Sequence, residues 1–481
     1  MNHQRGLDRS QTLLFPERLE DYVAANNPVR FLDAFVGSLD LHALSFAKAQ
    51  CADTGRPPYD PADLLKLFLY GYLHRIRSSR LLEAECQRNV EVIWLLGKLT
   101  PDFKTIADFR KDNLKPLRAV ARQFTVLCQK LKLFGGQLLA IDGSKFGAVN
   151  ARDQNFNAAK LEDLIARADA RLAEYLQMLD GADAAEPAPD AMNKAQLAGK
   201  IAALQEKQDW HKELLAQLDA EQKQISATDP DTRKMPTAHG MIVGYNAQVA
   251  VDAKHKLIAA DDVTNEVTDY KQLANVALEA KANLELKQAE VVADAGYYNA
   301  AEVSRCAEQG ITAYVPKADT SANTARGLYG KSRFRYDEKK DVYVCPAGAE
   351  LTHRFNTYEL GRELRYYRAS GCKSCALKKQ CTRNKTNRTI TREANEGLME
   401  AMAARMAAQP WKFKLRKELA EHPFGTIKRW FGYTHFLLKG LEKVRTEWSL
   451  TTLVYNLKRV LNLVSFEKLM LAVGVKVSQS V

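Results

Sequence analysis

Two short apolar runs, each ending in an aspartate, constrain this chain more than any other feature. The first is Leu138-Leu139-Ala140-Ile141-Asp142-Gly143-Ser144-Lys145 and the second is Val291-Val292-Ala293-Asp294-Ala295-Gly296-Tyr297. Apolar runs of this length beside glycine read as buried strands. A carboxylate at the end of a buried strand needs compensation by a metal ion, a basic side chain or a hydrogen-bonding cap. Asp-Gly also favours a turn, so either aspartate alone reads most simply as a strand end from which glycine lets the chain turn away. Two matching strand ends in one chain ask instead for a shared partner.

The segments around them set the fold class. Residues 1–135 carry helical spacing, with a start at Asp60-Pro61-Ala62-Asp63, a second helix over Ser79–Arg88 and a third over Val90–Leu96. A longer helix is predicted from Thr105 to Leu133. Residues 155–225 are rich in Ala, Leu, Lys and Glu and read most simply as an antiparallel helical hairpin whose loop is Gly181–Pro189, with a dimer coiled coil as the alternative. Beyond them come predicted strands at Tyr245–Val251 and Lys256–Val263, a helix over 269–287 and a strand at Glu290–Ala293. A helix at Ala300–Glu308 and a strand at Ile311–Val315 complete the order. That order builds an α/β mixed sheet flanked by helices, in a core over 136–316 that the hairpin interrupts. A basic insert (317–396) and a helical end (397–481) follow.

The formal net charge of +12 points to an anionic partner, most often nucleic acid. Charge is concentrated from Arg362 to Arg392, where ten Lys or Arg residues, Arg383 and Arg388 among them, face one acidic residue, Glu363. Phe334, Tyr336, Tyr343, Tyr366 and Tyr367 lie among or just before these charges, and basic residues mixed with flat rings suit a nucleic-acid strand. Arg75, Arg77, Arg80 and Arg88 read first as a solvated helix face, with DNA phosphates as the alternative. The insert also holds Cys345, Cys372, Cys375 and Cys381. A C-x2-C pair with two further thiols could bind one structural zinc; four reduced thiols in a small apolar cluster are the plain alternative. Cys51, Cys86, Cys128 and Cys306 read as core residues.

Eight cysteines in 481 residues are too sparse for a disulfide scaffold, which suggests a reducing compartment. The opening Met-Asn-His-Gln-Arg lacks a secretory design, and the apolar stretch Leu461–Val475 is broken by Glu467 and Lys468. A cytoplasmic protein with no membrane partner is expected. A phosphate-binding Gly-x4-Gly-Lys-Ser/Thr loop is absent, so nothing points to ATP.

The third carboxylate comes from Phe413–Lys428, a basic helix up to Glu421 with helical spacing again from Thr426 to Phe431. A glutamate on a helix packed against the sheet can reach both strand-end aspartates. Two Asp and one Glu make the all-oxygen site that magnesium or manganese prefers. Lys428 follows Glu421 by seven residues, about two turns along one face, where an ammonium could meet a phosphate.

These residues resemble bacterial insertion-sequence transposases of the DDE type, in the branch with a cysteine-rich insert. The likeness rests on Tyr59-Asp60-Pro61, Phe109-Arg110, Ile141-Asp142-Gly143-Ser144-Lys145 and Gly244-Tyr245-Asn246-Ala247-Gln248. It continues through Asp294-Ala295-Gly296-Tyr297 to Glu421-His422-Pro423-Phe424-Gly425-Thr426-Ile427-Lys428, over most of the chain. The resemblance implies an RNase H-like sheet and a triad of Asp142, Asp294 and Glu421 holding two Mg2+ or Mn2+ ions. It implies cleavage at insertion-sequence terminal repeats, strand transfer into target DNA, and a homodimer or larger assembly at synapsis. The family's helix runs Tyr, two residues, Arg, three residues, Glu, six residues, Lys. This chain keeps the Glu421–Lys428 interval but has Lys414 and Lys417 at the Tyr and Arg positions, with Phe413 and Arg416 one residue earlier. Glu418, one turn from Glu421, therefore stays open as the third carboxylate. Arg416 and Lys417 join Lys428, Arg383 and Arg388 as expected DNA contacts. Two other readings stand beside this one: a nuclease on the same fold without strand transfer, and a non-catalytic DNA-binding remnant.

Overall fold

A computed structural model describes residues 18–50, 57–184, 194–218, 224–317, 322–359 and 362–475. Cys51 and the predicted loop residues 185–189 lie outside the described residues. The chain opens with helices α1 (Pro28–Gly37), α2 (Pro61–Leu73), α3 (Ser79–Arg88), α4 (Val90–Leu95), α5 (Phe103–Asp112) and α6 (Leu114–Lys130). Their starts follow local chemistry. Asp60 accepts from the Ala62 N–H with Pro61 at the first helical position, and Asp102 accepts from the Lys104 and Thr105 N–H groups.

The single helix expected over Thr105–Leu133 is two helices. Asn113 breaks it: its buried side chain accepts from Ala47 N at 2.7 Å and donates to Phe109 O at 2.8 Å. A long-range hydrogen bond here outweighs the local helical pattern.

Strand β1 (Leu138–Gly147) enters the central sheet. The short strands β2 (Asn155–Phe156) and β3 (Ile225–Ser226) pair at the base of a hairpin of α7 (Ala158–Ala184) and α8 (Lys194–Gln217). Helix α7 runs past Gly181, where a loop was expected. The hairpin has its own small core of Phe156, Leu161, Leu214 and Ile225. The sheet continues with β4 (Arg233–Thr237), β5 (Gly240–Asp252) and β6 (Ile258–Thr264), then α9 (Leu273–Asn283), β7 (Ala289–Val292), α10 (Ala300–Glu308) and β8 (Ile311–Tyr314).

The spatial order is β6-β5-β1-β7-β8, with β4 extending the β6 edge along β5. Strand β5 is antiparallel to β1 and β6, while β7 and β8 run parallel to β1. An antiparallel meander followed by two parallel crossover strands is the RNase H-like topology. Strand periodicity divides β1 between two cores. Leu139 and Ile141 pack with α9 and α10; Leu138 and Ala140 face the other side.

A short helix, α11 (Ala322–Ala325), leads to a separate antiparallel sheet of β9 (Arg335–Asp337), β10 (Val342–Val344), β11 (Glu350–Glu359) and β12 (Arg362–Ala369). After α12 (Lys378–Cys381), β13 (Thr389–Glu393) closes that sheet against β12. Helices α13 (Glu396–Ala408) and α14 (Pro410–Gly425) return to the central sheet, and α15 (Leu441–Leu463) and α16 (Phe466–Ala472) end the fold.

The N-terminal helices share a core with the sheet and α15. Leu65, Phe68 and Phe124 share one core with Phe146, Val249 and Val263 of the sheet and with Trp448, Leu453 and Tyr455 of α15. Helix α15 also satisfies the sheet edge: Asn456 accepts from Ile258 N and donates to Ile258 O, both at 2.8 Å. Among the described residues no helix is long and apolar enough to cross a membrane.

Arg77, read from sequence as a solvated or DNA-facing residue, is buried. Its Nη1 donates to Glu447 Oε1 and His435 O, both at 3.0 Å, and its guanidinium lies 4.0 Å from the Tyr433 ring centroid. Glu447 is fully buried and also accepts from the Leu437 and Leu438 N–H groups. Arg77→Ala would strand that charge, and we expect a loss of ~3–5 kcal/mol in unfolding free energy by chemical denaturation. A loss under ~1 kcal/mol would show that the pair does not tie the N-terminal helices to α15.

Candidate active site

The geometry begins with strand register. Ala140 on β1 lies level with Val292 on the parallel strand β7. Two residues further along, Asp294 stands just past the end of β7 and Asp142 beside it, in the middle of β1 rather than at the strand end the sequence suggested. Asp294 leaves the sheet and caps a 3-10 turn, its Oδ1 accepting from Gly296 N at 2.8 Å. Asp142 accepts from Gly143 N at 3.0 Å. Burial pushes the Asp142 carboxyl up to about 7; Arg416 opposes this, while Asp294 and Asp269 add to it. A buried carboxylate with acidic neighbours is short of positive charge.

No turn occurs at Gly143. The strand runs on to Gly147, paired with β5 throughout. The glycine is required by close approach: a Cβ there would stand 2.3 Å from Gln248 Nε2 and 2.7 Å from Asp269 Oδ1. Asp269 is the site residue that sequence reasoning missed. It precedes α9, and its Oδ1 accepts from Asn246 Nδ2 and Gln248 Nε2, both at 2.7 Å. Gln248 is itself fixed by a hydrogen bond from the buried Tyr297 hydroxyl to its Oε1. The Gly244–Gln248 and Asp294–Tyr297 motifs thus meet physically at this acid.

Helix α14 packs Leu419 and Ala420 against Leu138, Ala140 and Val292. Arg416 reaches across, its Nη1 3.6 Å from Asp142 Oδ1. The Nε and Nη1 of this arginine are buried without a hydrogen-bond partner. Past Pro423 the helix widens into a π-helical turn over Thr426–Trp430. Lys428 then donates to Ser144 Oγ at 2.6 Å and to Lys145 O at 2.9 Å.

Glu421 lies in sequence between these two anchors, both within three residues of Asp142 on β1. It is exposed, and among the described residues it has no hydrogen bond or ion pair. Glu418 is instead taken up by Lys256 Nζ at 2.6 Å, beside the β5–β6 turn. His422 is also engaged, between Tyr455 OH at 3.0 Å and Arg459 Nη1 at 3.2 Å. As the side chains stand, no three His, Cys, Asp or Glu among the described residues are close enough to hold an ion.

The expected DNA contacts divide. Lys417 and Arg383 are exposed. Arg388 is not a surface contact: it is buried over Phe334, donating to Cys381 O and Tyr329 O, both at 3.1 Å. The aromatic residues of the insert are also mostly interior. Phe334, Tyr343 and Tyr367 form the core of the small sheet with Leu351 and Ile390, and Tyr336 and Tyr367 both donate to Asp341. Phe355 and Tyr358 are the exposed rings there. Elsewhere Arg75 stacks on the half-exposed Trp430 at 4.7 Å, with Lys458 at 5.1 Å, beside the π-helical turn. Arg80 lies over Phe103, and Arg88 pairs with Glu85.

The four insert cysteines, Cys345, Cys372, Cys375 and Cys381, line one cavity of about 20 Å³, roughly the space of one water-sized sphere. Burial raises the Cys381 thiol above its usual range; Arg388 opposes this and the other three sulfurs add to it. Cys86, Cys128 and Cys306 are buried in the core.

Paired acids on neighbouring strands of an RNase H-like sheet, flanked by cations, make up the candidate site. Comparison with known families makes the class specific. Residues 344–461 match a family described as "Transposase DDE domain", and residues 17–112 match "Transposase domain (DUF772)". The chain is a DDE transposase of the insertion-sequence kind, an enzyme of DNA transposition. No curated protein matches it. Among solved structures, the piggyBac transposase synaptic complex with hairpin DNA is similar at 8% identity and a TM-score of 0.29. That alignment covers 93% of this chain and 79% of the other, and a score so low carries no weight for this protein.

Proposed function

We propose that Asp142, Asp294 and Glu421 hold the divalent ions with which this transposase cuts insertion-sequence ends and joins them to target DNA. The observation that carries this reading is the pair of aspartates on neighbouring strands beside Asp269, with more negative charge than Arg416 and Lys145 neutralise. Carboxylate oxygens of this kind fit a hard cation, Mg2+ or Mn2+, rather than a soft one. When bound, a pair of such ions activates the attacking oxygen and stabilises the leaving oxygen. Asp142 would bind from β1 and Asp294 from the turn after β7; Glu421, unengaged on α14, would be the third ligand. Arg416 neutralises Asp142 from the α14 side, and its free buried donors suit a phosphate oxygen. Lys428 fixes the π-helical turn to β1 and so sets where Glu421 can reach.

The DNA partners in this reading are the terminal repeats and the target duplex. An element has two ends and each chain one such site, so a homodimer or larger assembly forms at synapsis. The free cysteines suit the reducing cytoplasm, where we place the protein.

The test is cleavage of a labelled terminal-repeat duplex in Mg2+, followed by transfer of a pre-cleaved end. Asp142→Ala, Asp294→Ala and Glu421→Ala should each lower the rate about a thousandfold, equivalent to ~4 kcal/mol in the barrier. Glu418→Ala should stay within about threefold of wild type. The reverse pattern at Glu421 and Glu418 would reassign the third carboxylate. Cleavage without any transfer would favour the nuclease reading.

We also propose that Cys345, Cys372, Cys375 and Cys381 take one structural zinc. The donor set is right, four soft thiols lining one small cavity, although as the side chains stand they do not converge on one point; Arg388 N lies 3.5 Å from Cys372 Sγ, as amides commonly do at metal thiolates. Protein purified without chelator should carry about one zinc per chain, and the Cys372→Ser/Cys375→Ser variant none, with a lower melting temperature. Wild-type protein free of zinc, with all thiols reactive, would leave the apolar-cluster reading instead.

A further inference from the structure

The α14 face of the carboxylate pair is occupied by Arg416 and Lys428. The opposite face holds a lysine to which the reading above gives no role beyond its charge. Lys145 is three residues past Asp142 on β1, and strand alternation puts it on the side of Gly143 and Asp269. Its side chain is only 14% exposed, and its Nζ is 3.4 Å from Asp269 Oδ1. That separation is long for an ammonium–carboxylate hydrogen bond, which closes to ~2.7–2.9 Å when it is tight. Asp269 does not depend on this lysine, because Asn246 and Gln248 already donate to the same oxygen at 2.7 Å. Asp142 and Asp294 both act electrostatically on Lys145 as well. An ammonium has three donors, and among the described residues this one makes a single, loose contact. The group is thus held close to the two aspartates without being bound tightly to any of them.

We propose that Lys145 is a further catalytic residue, contacting a non-bridging oxygen of the scissile phosphate, and that Asp269 is the positioning residue that aims it. This inference rests on the carboxylate reading above and adds to it a cation from the α9 side. The phosphate would then meet Arg416 on one face of the sheet end and Lys145 on the other. Asn246 and Gln248 hold Asp269, and Tyr297 holds Gln248, so the aim of the lysine is set by rigid strand residues rather than by a loop. The same arrangement gives the Gly244–Gln248 motif a task.

Single-turnover nicking by the full chain tests it, on a duplex ending in the terminal inverted repeat that flanks the coding sequence. Binding of the same duplex is measured in Ca2+, and folding by thermal midpoint. Lys145→Met, which keeps the side-chain volume, should slow nicking about a hundredfold with affinity within about threefold and an unchanged midpoint. Lys145→Arg should recover at least about tenfold of that loss. Asp269→Asn should slow nicking about tenfold alone and add nothing to Lys145→Met, as expected when one residue acts only through the other. Nicking by Lys145→Met at the wild-type rate, with Asp142→Ala inactive, overturns this proposal and leaves the carboxylate reading standing. A multiplicative double variant overturns the positioning role of Asp269. Wild-type nicking by Asp142→Ala would overturn the carboxylate reading itself.

Discussion

The structure depends on the parallel register of β1 and β7. Hydrogen bonding that sets Ala140 beside Val292 also brings the next two acids, Asp142 and Asp294, to one edge of the sheet. Two half-buried carboxylates side by side repel one another, and burial, with the Asp294 charge adding to it, raises the affinity of Asp142 for a proton. The surrounding elements answer it with charge. Arg416 comes from α14 on one face and Lys145 from β1 itself on the other. A site whose own cations leave the acids under-neutralised is prepared for a further cation.

Holding that edge rigid requires most of the chain. The same strand, β1, is covered by α9 and α10 on one side and by α14 and α15 on the other. Helix α15 satisfies the edge strand β6 and receives the N-terminal helices, which Arg77 locks to it through Glu447. The N-terminal and C-terminal parts are therefore joined in one core, although the helical hairpin and the cysteine-bearing sheet each keep small cores of their own. Rigidity at the sheet and freedom at Glu421 suit a site in which two ligands are fixed and one closes.

Much of the fold was legible because apolar periodicity reports directly on strands and helices: β5 to β8 and α10 fall where the pattern put them. Misreadings arose where a distant partner overrides the local signal. Asn113 breaks a helix through a bond to Ala47, and Gly143 serves close packing against Gln248 instead of a turn. Charge was the least readable property. Arg77 and Arg388 look like surface cations in sequence, yet each is buried with its donors directed to carbonyls or a carboxylate. The rings of the insert misled in the same way, since tyrosines that satisfy one aspartate in a small core have the composition of a stacking surface. Asp269 carried no motif of its own in the reading. Its importance comes from Asn246 and Gln248, two residues apart on β5 and so on one face of the sheet. That spacing was the available signal.

The central claim is that the strand-end aspartates and Glu421 share bound metal. A crystal of the chain with terminal-repeat DNA and Mn2+, measured for anomalous scattering, addresses it most directly. The account predicts manganese peaks at Asp142 and Asp294, with Glu421 turned in to bonding distance and Glu418 still on Lys256. Peaks bound by Asp269 or Glu418 with Glu421 left in solvent, or no peak at the β1–β7 edge, would contradict it.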